Sequence, residues 1–274
     1  MEAGQFKIGA IIQARLGSTR LPNKVLLPIG ANNRTILSQI FNQLTSSELI
    51  DKVVLATSKR TINDTLEQYC NEYNIHCYRG DEHNVLSRFA DVVTQNNFDY
   101  VLRFTADNPV LDTHYLKTFI KHVISSKLDY SYSQNLPLGC NFEMIKAELI
   151  IEANNNSVSN YDKEHVTPYI KRNAVKKDFF QFKKDNFLED IRLTIDYPTD
   201  YAFIFLITEM LKGKELNLRN IKTLIQSNEW LKKINEINYQ KKEYKTLKDE
   251  INDIMPIVRE REMKRIEKLL NDEE

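Results

Sequence analysis

The sequence predicts an α/β fold, a mainly parallel sheet flanked by helices, and three observations carry that expectation. Short apolar runs at 8–12, 52–58 and 100–105 have the length and composition of buried strands. The stretches between them space their apolar residues as helices do. The residues richest in chemistry, a basic loop after the first run and Asp107 after the third, fall just behind strands. That is the edge at which an open parallel sheet collects ligands.

Taken in order, 8–12 is the first strand, and the chain then breaks into a loop that reaches Lys24. Residues 35–49 read as a helix through Ile36, Leu37, Ile40, Phe41 and Leu44. Residues 52–58 form a second buried strand, 63–73 a second helix, and 75–78 a short strand. The strand at 100–105 ends at Ala106-Asp107-Asn108-Pro109. This alternation indicates right-handed βαβ units. Beyond 130 the rhythm changes. Residues 130–133 alternate poorly, 137–140 read as a turn before 141–145, and 154–157 as a polar loop. Residues 164–170 begin a helix, with Pro168 tolerated in its first turn. The lysine-punctuated stretch 179–187 reads as an edge strand or an oligomer contact. Residues 191–196 read as a strand, and 201–212 as a helix with Phe203, Ile204, Ile207 and Leu211 inward. The sequence thus divides into a main domain over 1–230, with an insertion at about 130–190, and a helical extension over 231–274. In the extension Leu247, Ile251 and Ile254, then Ile266, Leu269 and Leu270, are the apolar positions of a docked or partner-binding helix over 239–274, divided by Pro256.

Composition excludes several classes. Lys+Arg and Asp+Glu each number 38, so there is no whole-molecule basic field for nucleic acid and any polyanion site is local. Cys70, Cys77 and Cys140 are odd in number and lack C-x-x-C spacing, which argues against a disulfide framework or zinc knuckle. No apolar run approaches the roughly 20 residues of a membrane span. The amino terminus lacks the charged start and apolar core of a signal peptide. A cytoplasmic, reduced protein is expected.

The loop after the first strand sets Arg15, Arg20 and Lys24 beside Gly17, Ser18 and Thr19. Glycine lets backbone approach a phosphate, N–H groups form an anion-binding concavity, and the cations neutralise charge. The pattern is neither a Walker A motif nor G-x-G-x-x-G. Asp107 and Asp196 each follow a predicted strand, and magnesium is held by one or two carboxylates together with substrate phosphates. Taken singly, either aspartate reads equally well as a loop or helix cap. Arg103, in a strand with buried neighbours, needs a carboxylate or a phosphate, and a structural ion pair or a substrate contact would each satisfy it. Histidine is the side chain suited to proton transfer at neutral pH, so His165 reads either as a proton-transfer group or as a structural hydrogen-bonding residue. His76, His83, His114 and His122 show no metal-ligand spacing.

Gln13-Ala14-Arg15-Leu16-Gly17-Ser18-Thr19-Arg20-Leu21-Pro22-Asn23-Lys24 resembles the signature of the sugar-activating cytidylyltransferases. Those comprise the CMP-Kdo synthetases, more distantly the CMP-sialate synthetases, and an SpsF-like branch named for spore-coat polysaccharide synthesis. Thr105-Ala106-Asp107-Asn108-Pro109 resembles their acidic turn, and 193–200 their second metal motif. The resemblance runs from about residue 7 to 212. It implies a Rossmann-like fold of the nucleotide-diphospho-sugar transferase type and transfer of CMP from CTP to a small-molecule acceptor, with release of pyrophosphate. It implies Mg2+ on Asp107 and Asp196, with Arg15 and Lys24 catalytic and Lys24 following the leaving group. Ala14, Arg15, Gly17, Ser18, Arg20, Lys24, Thr105 and Asp107 would bind the nucleotide, Gly17 and Ser18 through their N–H groups. Arg88, Arg103, Glu143 and His165 would bind the acceptor. The 79–89 segment matches a region that contributes to both sets of contacts. A homodimer through the second half and a role in surface polysaccharide or glycoconjugate synthesis are also implied. Asn84 and Ser87 replace the usual acidic residues, Ala106 a glycine, and Leu138 and Asn141 charged residues. The acceptor is therefore left open between a sugar acid and a phosphorylated sugar, polyol or phosphonate. A glycosyltransferase on a related scaffold is the second reading, weakened because Asp107 is followed by Asn108-Pro109 where that class shows Asp-x-Asp. A catalytically inactive nucleotide-binding protein acting through the extension is the third, and the intact Arg15, Arg20, Lys24, Asp107 and Asp196 argue against it.

Overall fold

In the computed structural model, which describes residues 6–30, 34–238 and 246–272, the apolar runs become the centre of one sheet. Strands β1 (Ile8–Gln13), β2 (Lys52–Ser58), β3 (His76–Gly80) and β4 (Tyr100–Thr105) are mutually parallel. Strands β5 (Tyr130–Gln134), β6 (Glu143–Lys146) and β7 (Lys177–Gln181) complete a seven-stranded order β3-β2-β1-β4-β6-β5-β7. Only β6 runs against its neighbours, pairing antiparallel with β4 and β5.

The pleat of β1 divides the core in two. Ile8, Ala10 and Ile12 face one cluster and Ile11 the other, as period-2 alternation requires. On the first face pack α1 (Ile36–Thr45), α2 (Asp64–Glu72), α4 (Thr113–Ser125), α8 (Pro198–Met210) and α9 (Leu218–Gln226). On the second lie α3 (Val85–Asn96), α5 (Ala147–Asn156) and α7 (Pro168–Asn173), with the short α6 (Asn160–His165) against α3. Each fully buried isoleucine or leucine here contributes roughly 2–3 kcal/mol.

Several expectations change. Helix α1 stops at Thr45, four residues short of the predicted end, because Leu49 lies in a turn beyond the cap at Ser46. Helices α3 and α4 were not predicted, although Val85, Leu86, Phe89, Val92 and Val93 carry a helical repeat. Residues 130–134 do form a strand despite their poor alternation, because β6 and β7 flank them. Asn154 to Asn156 close α5 instead of forming a loop. The helix expected at 164–170 is two: His165 ends α6, and Pro168 takes the first position of α7, where its missing N–H has no partner to lose. Strand β7 is an edge strand, as expected, and ends at Gln181.

The clearest correction concerns 191–196. Residues 191–195 are buried and Asp196 half-buried, but the segment forms no strand; one bridge joins Arg192 to Leu138. Leu193 N–H donates to the Leu138 carbonyl and Ile195 N–H to that of Asp107, so its partners are loops, not a ladder.

The chain divides into two compact units, Met1–Ile237 and Asn238–Glu274. The second holds α10 (Leu247–Glu260), packed against α11 (Lys264–Asp272). Pro256 does not divide this extension. It lies inside α10, and the break comes at Arg261. The predicted start of the extension, 239–245, lies outside the described residues. Among the described residues no helix is long and apolar enough to cross a membrane.

Candidate active site

Strand β1 delivers the basic loop to the carboxyl edge of the sheet. Buried Leu16 anchors it, its N–H donating to Asn63 Oδ1 (3.0 Å) and its carbonyl accepting from Ser18 N–H (2.9 Å). Ser18's N–H is therefore spent within the loop, contrary to the expectation that it faces a ligand. Gly17's N–H meets no acceptor among the described residues. A Cβ on Gly17 would touch nothing within 4 Å, so an open approach, not a strained backbone, is what glycine provides there. Asn23, at φ 56°, turns the chain into the 3-10 turn Lys24–Leu26, and asparagine tolerates that left-handed conformation.

This turn carries Lys24 to both predicted carboxylates. Its Nζ lies 2.8 Å from Asp107 Oδ2 and 3.1 Å from Asp196 Oδ1, and donates to the Ile195 carbonyl at 2.7 Å. Arg20 Nη2 is 3.1 Å from Asp196 Oδ1, and its guanidinium lies over the Tyr197 ring. Thr105 Oγ1 donates to Asp107 Oδ1 at 2.6 Å. Burial alone would raise Asp196, but Lys24 first, then Arg20 and Arg192, hold its carboxyl below the ordinary range.

A second layer fixes Asp196. Arg192 Nη2 donates to Asp196 Oδ2 and its Nε to Asp200 Oδ1, each at 2.9 Å. Asp200, fully buried, accepts the N–H groups of Asp196 and Tyr197 on Oδ2, both at 3.0 Å. Asn235, buried in the main unit, donates to Asp200 Oδ1 and to the Arg192 carbonyl. Sequence reading missed Arg192 and Asn235. The spacing of Asp200, capping α8, held a signal for it, whereas a lone asparagine far along the chain offers none.

A cleft of about 420 Å³ opens beside this cluster, lined in part by Ala14, Arg15, Gly17, Thr105, Arg88 and His165. Arg15 is exposed along it. Arg88 is only 4% exposed, yet its N–H groups reach just the carbonyls of Ala56 (3.4 Å) and Glu82 (3.5 Å), and its Nε has no partner. Burial pushes its guanidinium below the usual value, with Glu82 opposing. Gly80 makes its room, since a Cβ there would sit 2.6 Å from Arg88 Cγ. Glu164 and His165 enter from the end of α6, aimed by a tight turn at Val166 (φ 69°, ψ −54°) in which Thr167 N–H donates to the His165 carbonyl.

Arg103 and Glu143 are not brought to the cleft wall. Arg103 Nη1 lies 2.8 Å from Glu143 Oε2, so the structural ion pair, and not the acceptor contact, satisfies the strand arginine. Glu143 Oε1 accepts Tyr130 Oη at 2.6 Å and lies 3.2 Å from Lys171 Nζ. Burial would raise Glu143, but Arg103 and Lys171 hold it down at about 2. Among the described residues no cluster of three His, Cys, Asp or Glu side chains suits a metal; Asp107 and Asp196 both reach Lys24.

Comparison with known proteins agrees with this geometry. Residues 9–243 match the Cytidylyltransferase family. The chain is 35% identical over 201 residues to the spore coat polysaccharide biosynthesis protein SpsF of Bacillus subtilis, covering 71% of this chain and 83% of that protein. A Methanocaldococcus jannaschii protein is 31% identical over 246 residues, 89% of this chain and all of the other. A Leptospira borgpetersenii cytidylyltransferase structure superposes with a TM-score of 0.75 at 26% identity, covering 87% of this chain and 100% of that one. With a family match over most of the main unit, and the signature's cations gathered on one sheet edge, the chain belongs to the cytidylyltransferase family.

Proposed function

We propose that this enzyme transfers CMP from CTP to a sugar acid or a phosphorylated sugar or polyol, releasing pyrophosphate, in the synthesis of a surface polysaccharide or glycoconjugate. The observation that carries the reading is Lys24, whose ammonium spans Asp107 and Asp196 at the mouth of the basic loop. The kinship with SpsF supports the pathway.

The donor set fits magnesium: two carboxylates, one held ionised by surrounding cations, beside a cleft open to phosphates and water. Asp107 and Asp196 would hold the ion, which supplies neutralising charge to the phosphoryl oxygens when bound. The chain's own residues do the rest. Arg15 and Arg20 draw in the triphosphate, and Gly17 offers its N–H to it. Lys24 exchanges its carboxylate partners for the departing pyrophosphate as charge grows there. Arg192 and Asp200 keep Asp196 aimed throughout. Catalysis of this kind is mostly positioning and charge neutralisation. His165, exposed in the cleft wall, is placed to take the proton of a hydroxyl acceptor; a phosphate acceptor needs no such base.

The test is pyrophosphate release with magnesium, each of the four NTPs, and a panel of sugar acids, sugar and polyol phosphates, and phosphonates. Release with CTP and one acceptor is expected, falling at least roughly 100-fold in Asp107→Ala and Asp196→Ala. Turnover that prefers another nucleotide, or that survives both substitutions, would sink the reading.

A further inference from the structure

Gln13 closes β1 and lines the cleft together with Lys24 and Arg88. The orientation of its carboxamide is decided by its neighbour. Arg103 Nε lies 3.1 Å away and can only donate, so Gln13 must present Oε1 to it. Arg103 cannot turn aside, because Glu143 grips it at 2.8 Å, and Glu143 is itself 4% exposed and held by Tyr130 and Lys171. The Nε2 end of Gln13 has no acceptor among the described residues. The amide of a cleft-lining residue is thus set by an ion pair that does not itself line the cleft, and its two N–H donors are left for a ligand.

We propose that Gln13 binds the nucleoside half of CTP, its Nε2 donating to an acceptor atom of the base or ribose, and that Arg103 and Glu143 are positioning residues that set the amide. The inference rests on the cytidylyltransferase reading above. With the phosphates gathered at Arg15, Arg20 and Lys24, the polar lining left for the nucleoside includes Gln13. A donor-only group there complements the acceptor atoms of a pyrimidine or of a sugar hydroxyl. It also gives a purpose to the Arg103–Glu143 pair, which does not itself line the cleft.

Calorimetric titration of the full chain with CTP and, separately, with inorganic pyrophosphate, both in magnesium, tests this. Gln13→Met, which removes the donors without adding charge, should weaken CTP about tenfold and leave pyrophosphate within twofold. Gln13→Glu retains an acceptor for Arg103 and serves as the second variant, with a CTP loss at least as large. Arg103→Met frees the amide to turn and should weaken CTP by a smaller factor. Combined with Gln13→Met it should add nothing further, whereas a merely structural arginine would give additive losses. Wild-type binding of CTP with folded Gln13→Met unchanged overturns this inference alone, as do equal losses of CTP and pyrophosphate. Wild-type protein that does not bind CTP overturns the parent reading and this one with it.

Discussion

Lys24 serves two carboxylates at once, with Asp107 and Asp196 approaching it from different loops. Between them the three groups carry a net negative charge, which Arg20 and Arg192 offset. Glu143 shows the same physics away from the cleft. Its carboxyl lies near 2 against an ordinary 4.5, because Arg103 and Lys171 outweigh the penalty of burial. A depressed carboxylate stabilises the fold fully above its ordinary value, and that contribution fades as the pH drops from about 4.5 towards 2. The shift corresponds to something on the order of 3 kcal/mol. Glu143→Gln should therefore lower stability at neutral pH and flatten its decline between pH 4.5 and 2, measured by urea unfolding at each pH. An acid limb as steep as that of the wild type would show that another carboxylate governs it.

At the scale of elements, Asp107 and Asp196 are held by segments that are not regular structure. The 191–196 stretch lies against Gly139, which adopts φ 96°. A Cβ there would stand 2.8 Å from Thr194 N and 2.9 Å from the Leu193 carbonyl carbon, both rigid backbone. Gly139→Ala combines that clash with a left-handed conformation, at a cost of roughly 1–3 kcal/mol, and must push away the segment that carries Asp196. We expect a lower melting temperature and a loss of turnover larger than the loss of stability explains; full activity in the variant would separate this segment from catalysis. The turn at Val166 is similar in kind. A buried β-branched residue at φ 69° persists only because packing over-determines it, and it delivers Glu164 and His165 to the cleft.

At the scale of the whole molecule, the main unit runs to Ile237, and its last residues matter more than their composition suggests. Leu231 is fully buried, Ile234 packs on the core, and Asn235 braces Asp200 and Arg192. A chain cut after Trp230 loses all three and should melt lower by roughly 10 °C or more. A chain cut after Ile237 keeps every residue of the site and should retain CTP binding. Equal melting temperatures for the two would remove the brace. The formal net charge of zero leaves no whole-molecule field for an anion, so the cations that line the cleft, among them Arg15, Arg20, Lys24 and Arg88, act locally.

What the sequence by itself determined is the parallel half of the sheet, the basic loop behind β1, and the choice of that loop, Asp107 and Asp196 as candidate site residues. Apolar runs and motif residues are local in the chain, so their meaning survives without the fold. What only the tertiary structure decided is whatever depends on partners far away in sequence. Residues 191–196 have a strand's composition, but their neighbours are loops, so no ladder forms. Arg103 left its partner open, and β6 supplied Glu143 from 40 residues away. Asn235 carries no signal until the 3-10 turns of Glu229–Ile234 bring it to Asp200, 35 residues earlier. Gln13 was visible only as part of a motif; the fixed direction of its amide arises where β1 and β4 lie side by side, because a donor-only arginine leaves it one orientation.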